Sequence, residues 1–453
     1  MELSVVILAA GKGTRMRSAL PKVMQPLAGR PLLRHVVDTA ASLAAARTLI
    51  VVGHGGEQVR KVFPGPLLWA EQAEQKGTGH AVQMALPQLP GHGKTLILYG
   101  DVPLTTAATL ADLIARVSDD GSMGLITLEM ANPAGYGRLV RDAAGKVARI
   151  VEQKDATLEE KKIREVNTGI FCVPNGLLHT WLPQLRNNNA QGEYYLTDIV
   201  AMAASQGIRI ETVQPEYAWE VDGVNDKLQL AALERVCQRN QADALMRAGV
   251  TLIDPARFDL RGTLTQGMDV HIEPNVVIEG RVTLGNNVRI GANCQLRDCV
   301  IGDNVNIKPN SLIEEARIGN GVEIGPFARL RPGTDLADHV HIGNFVETKK
   351  AVLGEGSKAN HLAYIGDAQV GSGVNIGAGT ITCNYDGANK HVTRIEDNAF
   401  IGTNNSLVAP VTIGKGATTA AGSVITKDVP ENTLAVARGR QVHVEGWERP
   451  VKK

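Results

Sequence analysis

A chain of 453 residues whose 47 basic and 47 acidic side chains balance to no net charge lacks the positive excess typical of proteins that bind nucleic acid or anionic membranes. Aromatic residues make up only 4% of the chain, which is few for the stacking platforms that hold nucleic-acid bases. The length allows two or three domains with well-buried cores. We therefore expect small-molecule substrates rather than nucleic acid.

The compartment is also constrained by the sequence. The start, MELSVVILAAG, has an acidic residue where a signal peptide is basic, so no signal peptide is expected. No apolar run approaches the roughly eighteen residues that span a bilayer, so no membrane insertion is expected. The five cysteines lack CxxC spacing and are odd in number, which predicts reduced thiols. We expect a cytoplasmic protein.

The amino-terminal half alternates apolar strands with amphipathic helices. SVVILAA is a continuous apolar strand and TLIVVG from Thr48 is a second. Between them, Arg30 to Ala46 places its apolar residues on one helical face, with Pro31 at the helix start. Two further helices are predicted over Gly79 to Leu89 and Thr106 to Val117, and two further strands at TLILYGD and GLITLEM. This order predicts an open α/β sheet of parallel strands, with ligands beyond their carboxyl ends.

A glycine-rich turn, GKGTRM, follows the first strand at Gly11. It fits neither the GxxxxGK loop of P-loop proteins nor the GxGxxG fingerprint of dinucleotide-binding domains, because Met16 stands in place of the third glycine. What remains is a backbone able to approach a phosphate closely, with Lys12, Arg15 and Lys22 nearby. A solvated loop is the alternative interpretation.

Other polar residues point to the same edge of the sheet. Asp101 directly follows an apolar strand, where a carboxylate either caps a helix or binds a hard cation. The string QAEQKGTGHA forms a turn that opens a helix and offers amide and backbone groups to a planar base through Gln72, Gly77 and Thr78. PAGYGRLV and VNTGIF predict two more glycine turns, at Gly137 and at Asn167 to Gly169.

A long helix is predicted from Asp226 to Ala248, with Gly249 as its carboxyl cap. At 1.5 Å per residue it spans about 35 Å. We expect it to act as a rigid arm, so that the domains on either side function independently.

Beyond this helix a large aliphatic residue returns at a step of six, shortened to five twice, from Ile278 to Ile342. This period fits a chain wound into a triangular prism, with three short strands per coil and one inward aliphatic residue per strand. The pattern resumes at Ile365 and continues to Val429. The step from Ile376 to Ile395 is nineteen residues, one more than a three-sided coil, and it predicts a loop around CNYDGANKH. Such prisms are commonly trimers, so we expect a homotrimer.

Several of these strings together resemble one family. LAAGKGTRM followed by LPK is similar to the signature of sugar-1-phosphate nucleotidyltransferases. With QAEQKGTGHA, NAQGEYYLTD, EVDGVN and the prism, the whole chain resembles the bacterial bifunctional N-acetylglucosamine-1-phosphate uridylyltransferase and glucosamine-1-phosphate N-acetyltransferase. The resemblance implies an α/β Rossmann-like uridylyltransferase domain at 1–225, a helical linker at 226–249, and a left-handed parallel β-helix of hexapeptide repeats at 250–453 that carries the acetyltransferase.

The resemblance also implies the reactions. Glucosamine 1-phosphate is N-acetylated with acetyl-CoA, and the product then receives a uridylyl group from UTP, with Mg²⁺ as the metal and pyrophosphate as the leaving group. The UDP-N-acetylglucosamine so formed supplies cell-wall and lipopolysaccharide precursors. Two anions must meet in the uridylyl transfer, so the site must offset their repulsion.

The family's residues for uridylyl transfer carry over position by position. Binding of UTP and UDP-N-acetylglucosamine is assigned to Leu8, Ala9, Ala10, Gly11, Lys22, Gln72, Gly77, Thr78, Tyr99, Gly100, Asp101, Gly137, Glu152, Asn167 and Asn225. Among these, Asp101 and Asn225 would bind Mg²⁺. Arg15 and Lys22 would face the triphosphate as catalytic residues.

The acetyl-transfer residues carry over in the same way. Arg331, Lys349, Tyr364 and Asn375 would bind glucosamine 1-phosphate, and Ala378, Asn384, Tyr385, Thr403, Ala421 and Arg438 would accommodate acetyl-CoA. His361 would be the general base, because the amine must lose a proton and imidazole titrates in the useful range. No acyl-enzyme is required, so Cys383 is not expected to be a nucleophile. The family commonly has Ser at position 403 and Leu at position 76, where this chain has Thr and Lys.

Two alternatives remain at this stage. One is a single-activity sugar-1-phosphate nucleotidyltransferase whose prism is structural or allosteric, which the NHLAY and CNYDGANK strings disfavour. The other is a non-catalytic regulatory subunit of an assembly, which the presence of Lys22, Asp101 and Asn225 disfavours.

Overall fold

The computed structural model describes residues 2–53, 55–118 and 121–452. These residues form two compact units, with the division between Cys237 and Gln238. No helix in these ranges combines the length and the apolar character that crossing a bilayer requires.

The first unit is an α/β fold. Its strands are β1 Leu3–Ala9, β2 Pro26–Leu27, β3 Arg30–Pro31, β4 Arg47–Val52, β5 Leu68–Glu71, β6 Lys94–Tyr99, β7 Ser122–Glu129, β8 Arg138–Arg141, β9 Val147–Val151, β10 Glu165–Pro174 and β11 Arg209–Val213. Its helices are α1 Leu32–Ser42, α2 Gly56–Val62, α3 Thr78–Ala85, α4 Ala107–Arg116, α5 Asn175–Trp181 and α6 Asp198–Ser205, and α7 Lys227–Arg247 crosses the division between the units.

The main sheet has the strand order β11-β7-β10-β6-β1-β4-β5. Strand β1 is buried along its whole length and pairs in parallel with β4 and β6, so the predicted parallel core is confirmed. Strand β10 runs antiparallel between β6 and β7, which the sequence did not predict. The reason is that the chain enters β10 from the β8–β9 hairpin rather than through a crossover helix.

The glycine turn predicted at Asn167 to Gly169 is wrong, because VNTGIF lies inside strand β10. The pairing of β10 with β7 shifts register between Asn167 and Phe171, and Gly169 adopts a φ of 89°. Glycine tolerates this conformation, so the feature is a bulge in a continuing strand.

Helix α7 confirms the predicted long helix to within one residue at each end. In the first unit, Leu233 and Cys237 pack in a cluster with Met16 and Leu32. In the second unit, Ala242 and residues after it belong to the prism core. The helix therefore contributes to both cores.

The second unit is built from short parallel strands. They are β12 Thr251–Leu252, β13 Phe258–Gln266, β14 His271–Ile272, β15 Val276–Leu284, β16 Arg289–Ile290, β17 Gln295–Arg297, β18 Val300–Ile301, β19 Asn306–Ile307, β20 Leu312–Glu314, β21 Arg317–Ile318, β22 Glu323–Ile324, β23 Arg329–Leu330, β24 Asp335–Leu336, β25 His341–Asn344, β26 Glu347–Leu353, β27 Lys358–His361, β28 Tyr364–Val370, β29 Asn375–Ile376, β30 Ile381–Cys383, β31 Thr393–Ile395, β32 Phe400–Ile401, β33 Ser406–Val408, β34 Val411–Ile413, β35 Thr418–Thr419, β36 Val424–Ile425 and β37 Leu434–Ala435.

Each strand pairs with the strand one coil later. Ile290, for example, pairs with Ile307, seventeen positions on, and Ile324 pairs with Ile342, eighteen positions on. The aliphatic residues of the six-residue pattern are buried and stack in one core. One face is the sheet that runs from β12 to β37, and the other two faces share a sheet because the long strands β15, β26 and β28 continue around a corner. The predicted triangular β-helix is confirmed.

The predicted loop leaves the prism between β30 and β31. Val370 pairs with Ile395, twenty-five positions on, whereas Leu353 pairs with Val370 after seventeen. The position of the loop is confirmed, but the spacing count was wrong. Thr382 is 2% exposed and fills an inward position, so the nineteen residues from Ile376 to Ile395 cover two strand steps rather than a whole coil.

Candidate active sites

A cavity of about 360 Å³ lies at the carboxyl ends of strands in the first unit. The turn after β1, the β5–α3 turn, the ends of β1 and β6 and the segment that precedes α7 converge there. The residues predicted for UTP that line this cavity are Leu8, Ala9, Ala10, Gly11, Lys22, Gln72, Gly77, Thr78, Tyr99, Asp101 and Asn225.

Two glycines shape the turn that follows β1. A Cβ added to Gly11, which lines the cavity, would meet nothing within 4 Å, so the backbone there is open to a ligand. Gly13 has a φ of 60°, and an added Cβ would lie 2.5 Å from the Cβ of Lys22. Glycine at position 13 therefore lets Lys22 pack closely against the turn.

Lys22 is the positively charged side chain among the residues that line the cavity. Its Nζ donates to a carboxylate oxygen of Asp101 and to Oδ1 of Asn225 at 3.2 Å. Asn225 is 203 positions from Lys22 in the chain, and the cluster forms because the segment that leads into α7 returns to the edge of the sheet. Two oxygen acceptors thus converge on one positively charged nitrogen.

A second polar group adjoins the cavity through Tyr99. An added Cβ on Gly169 would lie 2.6 Å from the Tyr99 ring, and one on Gly137 would lie 3.4 Å from both carboxylate oxygens of Glu152. The backbone N–H of Asn167 donates to the Gly137 carbonyl at 2.9 Å. Tyr99, Gly137, Glu152 and Asn167, all predicted to bind UDP-N-acetylglucosamine, therefore lie together.

The electrostatics of this group are unusual. Burial raises the pKa of Tyr99 well above its ordinary value, and the negative charges of Glu152 and Asp101 add to the effect. Burial also raises the pKa of Glu152, although the hydrogen bond from Thr197 acts in the opposite direction. Such shifts are typical of functional sites, and structural networks also produce them.

Two further predicted residues, Arg15 and Gly100, do not line the cavity. Arg15 is exposed in the 3₁₀ turn Thr14–Met16. Gly100 is buried, and its backbone N–H donates to the Leu8 carbonyl at 2.9 Å. An added Cβ on Gly100 would face Leu33 and Val23, so this glycine packs toward the core.

Sequence reasoning missed four lining residues, Val23, Gln75, Ala81 and Glu193. The quoted motifs could have indicated two of these residues, because Gln75 lies in QAEQKGTGHA and Glu193 lies in NAQGEYYLTD. Gln75 donates to the Ala10 carbonyl and so supports the turn after β1.

In the second unit, the residues predicted to bind a sugar phosphate lie on successive coils. The Arg331 guanidinium donates to Glu347 at 2.8 Å, and Glu347 pairs in register with Tyr364. The carboxylate of Glu347 raises the pKa of Arg331. Lys349 lies on the same strand as Glu347, and its side chain has no hydrogen-bond or ion-pair partner among the described residues. Sequence reasoning missed Glu347, although it is part of the VETKKA string.

His361 lies at a corner of the prism and is exposed. Its Nδ1 is 2.8 Å from Oδ1 of Asn344, the residue it pairs with one coil earlier. An amide oxygen only accepts hydrogen bonds, so Nδ1 carries a proton, and in the neutral imidazole the lone pair lies on Nε2. The described part of the chain shows no hydrogen bond between His361 and Arg331, Lys349 or Tyr364.

Most residues predicted for acetyl-CoA follow the same corner in later coils. The Ala378 carbonyl accepts from the backbone of Asn404 at 2.7 Å, and the Thr403 carbonyl accepts from Gly422 at 2.8 Å. The Ala421 carbonyl accepts from the Arg438 guanidinium at 2.8 Å. Ala378, Thr403, Ala421 and Arg438 therefore form one edge. Asn375 lies on the neighbouring face, paired with Lys358 and Phe400.

The loop between β30 and β31 is held mainly by its own contacts. Asp386 accepts from the backbone of Ala388 and Asn389 and pairs with His391. The Lys390 ammonium lies 4.6 Å from the centre of the Tyr385 ring. At the root of the loop, Asn384 is buried and donates to Asp367, a partner that sequence reasoning missed.

Three family models match parts of the chain. A MobA-like NTP transferase domain matches residues 5–163, a GMPPB C-terminal domain matches 261–346, and a bacterial transferase hexapeptide (six repeats) matches 393–427. The matches agree with the α/β fold of the first unit and the β-helix of the second.

Curated relatives that bear the name Bifunctional protein GlmU are similar over the whole chain. The protein of Acinetobacter baumannii (strain AYE) is 60% identical over 453 residues, which are 100% of this chain and 99% of that protein. The protein of Ralstonia nicotianae (strain ATCC BAA-1114 / GMI1000) is 58% identical over 452 residues, covering 100% of this chain and 99% of that protein. The protein of Cellvibrio japonicus (strain Ueda107) is 60% identical over 469 residues, covering 100% of both.

A solved structure of UDP-glucose pyrophosphorylase complexed with UDP-glucose is matched over 53% of this chain and 100% of that chain, with 15% identity and a TM-score of 0.45.

Proposed function

The chain belongs to the family of bifunctional GlmU proteins, and from this premise we propose that it makes UDP-N-acetylglucosamine in two reactions. It is a glucosamine-1-phosphate acetyltransferase, which acetylates the amine of its substrate at the expense of acetyl-CoA. It is also a nucleotidyltransferase, which transfers a uridylyl group from UTP to N-acetylglucosamine 1-phosphate and releases pyrophosphate. The product supplies cell-wall and lipopolysaccharide precursors.

The observation that carries the proposal is the 57–60% sequence identity to relatives of this name over the full chain. It covers both units, so it favours two activities over a single nucleotidyltransferase with a passive prism. In the first unit, the side chains of Asp101 and Asn225 converge on Lys22. In the second unit, the Lys349 side chain has no partner among the described residues. Both features support one activity in each unit.

The first unit would perform uridylyl transfer. The sugar phosphate attacks the α-phosphorus of UTP, so the site must counter the repulsion of two anions and the charge that develops on pyrophosphate. Lys22 is held inside the cavity by Asp101 and Asn225, where its ammonium can bind the triphosphate. Arg15, exposed on the neighbouring turn, offers a guanidinium that grips two phosphate oxygens.

Asp101 and Asn225 would hold Mg²⁺. Their oxygens already converge on the Nζ of Lys22, and oxygen donors are what this hard cation prefers. The described residues contain no cluster of three or more His, Cys, Asp or Glu side chains suited to a metal, so phosphate and water oxygens would complete the coordination. The bound cation would neutralise charge on the transferring group.

The second unit would perform acetyl transfer, with Lys349 and Arg331 as natural partners for a phosphate. His361 would remove a proton from the substrate amine as it attacks the thioester. Its Nδ1 proton is engaged by Asn344, which leaves the Nε2 lone pair to act as the base. Acetyl-CoA would lie along the corner from Ala378 to Arg438.

The protein would be a cytoplasmic homotrimer. All five cysteines are free, as in a reducing compartment. One corner of the prism exposes Phe327 and Phe345, at 50% and 55%, with their rings stacked 5.3 Å apart. Exposed aromatic pairs of this kind are typical of an interface.

Two reciprocal substitutions test the two sites. Lys22→Ala removes the cation that faces the triphosphate and should lower uridylyl transfer by at least about tenfold, a barrier change of about 1.4 kcal/mol. His361→Ala should abolish acetyl transfer. Pyrophosphate release measures the first reaction, and release of the coenzyme A thiol measures the second.

Each substitution should leave the other activity intact. Lys61→Ala on α2 and His271→Ala on β14 are matched controls outside both sites, and both should leave the two rates unchanged. Equal damage to both activities by either active-site variant would contradict the division of labour. Full acetyl transfer by His361→Ala would show that His361 is not the general base.

A further inference from the structure

Gln72 is a buried amide on the wall of the first cavity. It follows β5 directly, is 3% exposed and lines the cavity. Its Nε2 donates to the Gly77 carbonyl at 3.0 Å and contacts Nδ1 of His80 at 3.1 Å. Both amide hydrogens of Gln72 are therefore used inside the protein.

The orientation of the Gln72 amide follows from the hydrogen bonds that its partners can make. The Gly77 carbonyl is only an acceptor, so the NH₂ group of Gln72, and not its oxygen, must face it. His80 then accepts the second N–H, with Nδ1 as the lone-pair nitrogen. The Oε1 of Gln72 accepts no hydrogen bond from any described residue, so an unused acceptor remains on the cavity side.

Both partners of Gln72 are held in place by the elements around them. Gly77 has a φ of 104°, and an added Cβ would lie 2.6 Å from the Tyr194 carbonyl, so the turn is packed against the segment after α5. His80 is on helix α3, and its ring lies 6.3 Å from that of Tyr194. The helix holds the imidazole in reach of the amide.

We infer that His80 is a positioning residue that, together with Gly77, presents Oε1 of Gln72 to the base of the nucleotide as a hydrogen-bond acceptor. This inference rests on the proposed function. Uracil carries an N–H at ring position 3, which such an acceptor binds, whereas cytosine carries a lone pair there. The arrangement therefore selects UTP over CTP.

The role of His80 is indirect, because it would act on the base through Gln72. Without an acceptor at position 80, one amide hydrogen of Gln72 loses its partner, and the Gly77 carbonyl alone opposes rotation of the amide. The turned amide would present a donor to the base, which suits cytosine better than uracil. The consequence is a change in base preference rather than a uniform loss of activity.

The test compares kcat/KM for UTP and for CTP in the full-length enzyme. His80→Leu should lower the UTP-to-CTP ratio by about tenfold, a difference of about 1.4 kcal/mol, mainly through a higher KM for UTP. His80→Asn keeps an acceptor near the position of Nδ1 and should retain most of the ratio. His92→Leu, at an exposed histidine outside the cavity, should leave it unchanged.

A double substitution shows whether His80 acts through Gln72. In a Gln72→Leu background, His80→Leu should cause no further change in the ratio. An unchanged ratio in His80→Leu would overturn the inference, as would an equal loss in His80→Leu and His80→Asn. A change only in the preference for UTP over 2′-deoxy-UTP would also overturn it, because the oxygen would then bind the ribose. A wild-type enzyme that uses neither UTP nor CTP would instead contradict the proposed function.

Discussion

At the residue scale, carboxyl groups beside the first cavity are costly to ionise. Burial raises the pKa of Glu152, and the charges of Asp155, Asp198 and Glu193 raise it further. Burial likewise raises the pKa of Asp198. A carboxyl group whose pKa is higher in the folded state favours folding most when it is protonated, at a pH below the unfolded value, and this contribution is lost as the pH rises through the folded pKa.

Replacement of Glu152 by Gln should therefore stabilise the first unit at neutral pH. The glutamine keeps an oxygen that accepts from Thr197, which donates to Glu152 at 3.0 Å, and it removes the buried charge. The gain in melting temperature, measured by calorimetry, should be present at pH 7 and shrink as the pH falls toward 4.5, the ordinary value for this group.

Glu216→Gln, at an exposed carboxylate of the same unit, should change the melting temperature little at either pH. A gain for Glu152→Gln that is equal at pH 7 and near pH 4.5 would show that the charge is not the cause.

At the element scale, the loop between β30 and β31 is an addition to an otherwise regular coil. Strands on either side pair twenty-five positions apart, while the coils before and after this insertion repeat after seventeen or eighteen. The loop closes on itself through Asp386 and through the backbone pair between Asn384 and His391, at 2.9 Å. Its removal would leave few prism groups without partners.

Deletion of Tyr385 to Val392 removes eight residues and shortens the step from Val370 to Ile395 to seventeen. Since this restores the ordinary spacing, the shortened protein should fold with an unchanged circular dichroism spectrum and keep uridylyl transfer. Acetyl transfer should fall at least about tenfold, because Tyr385 and the surroundings of Asn384 are lost.

A matched control is deletion of Glu445 to Lys452, eight exposed residues of the tail, which tests whether shortening by itself perturbs the prism fold. Full acetyl transfer by the variant without the β30–β31 loop would show that the loop has no part in the reaction.

At the scale of the whole molecule, helix α7 belongs to two cores. On the side of the first unit, Glu234 accepts from the backbone N–H of Ala28 at 2.8 Å, and Leu233 and Cys237 are buried beside Leu27. A boundary at residue 225 would remove these groups from the first unit. The division between Cys237 and Gln238 keeps them.

A fragment of residues 1–237 should therefore keep uridylyl transfer and melt higher than a fragment of residues 1–225. Loss of a buried leucine typically costs about 2–5 kcal/mol, and about 1 kcal/mol shifts the melting temperature of a domain of this size by about 2–4 °C. The shorter fragment should thus melt at least about 4 °C lower in calorimetry.

A fragment of residues 1–249 is the control, because it adds only the part of α7 that packs in the second unit, and it should melt like 1–237. Equal melting of all three fragments would show that the first half of α7 does not stabilise the first unit.

The sequence by itself determined the elements that have a regular residue period and the motifs that resemble those of a known family. The six-residue pattern predicts the β-helix because each short strand buries one aliphatic residue. The buried positions therefore recur at a short, regular spacing that the sequence shows directly. The same holds for α7, whose bounds were predicted within one residue. Strings such as LAAGKGTRM and CNYDGANKH located the candidate sites without any coordinates.

Only the tertiary structure decided how distant groups meet. The direction of β10, the bulge at Gly169 and the inward place of Thr382 depend on strand pairing, which local pattern does not encode. The contact of Lys22 with Asn225, 203 positions away, and the orientation of the Gln72 amide depend on where the packed elements place each atom. A hydrophobic pattern reports which face of an element is buried, whereas chemistry depends on which atoms from separate elements come within bonding distance.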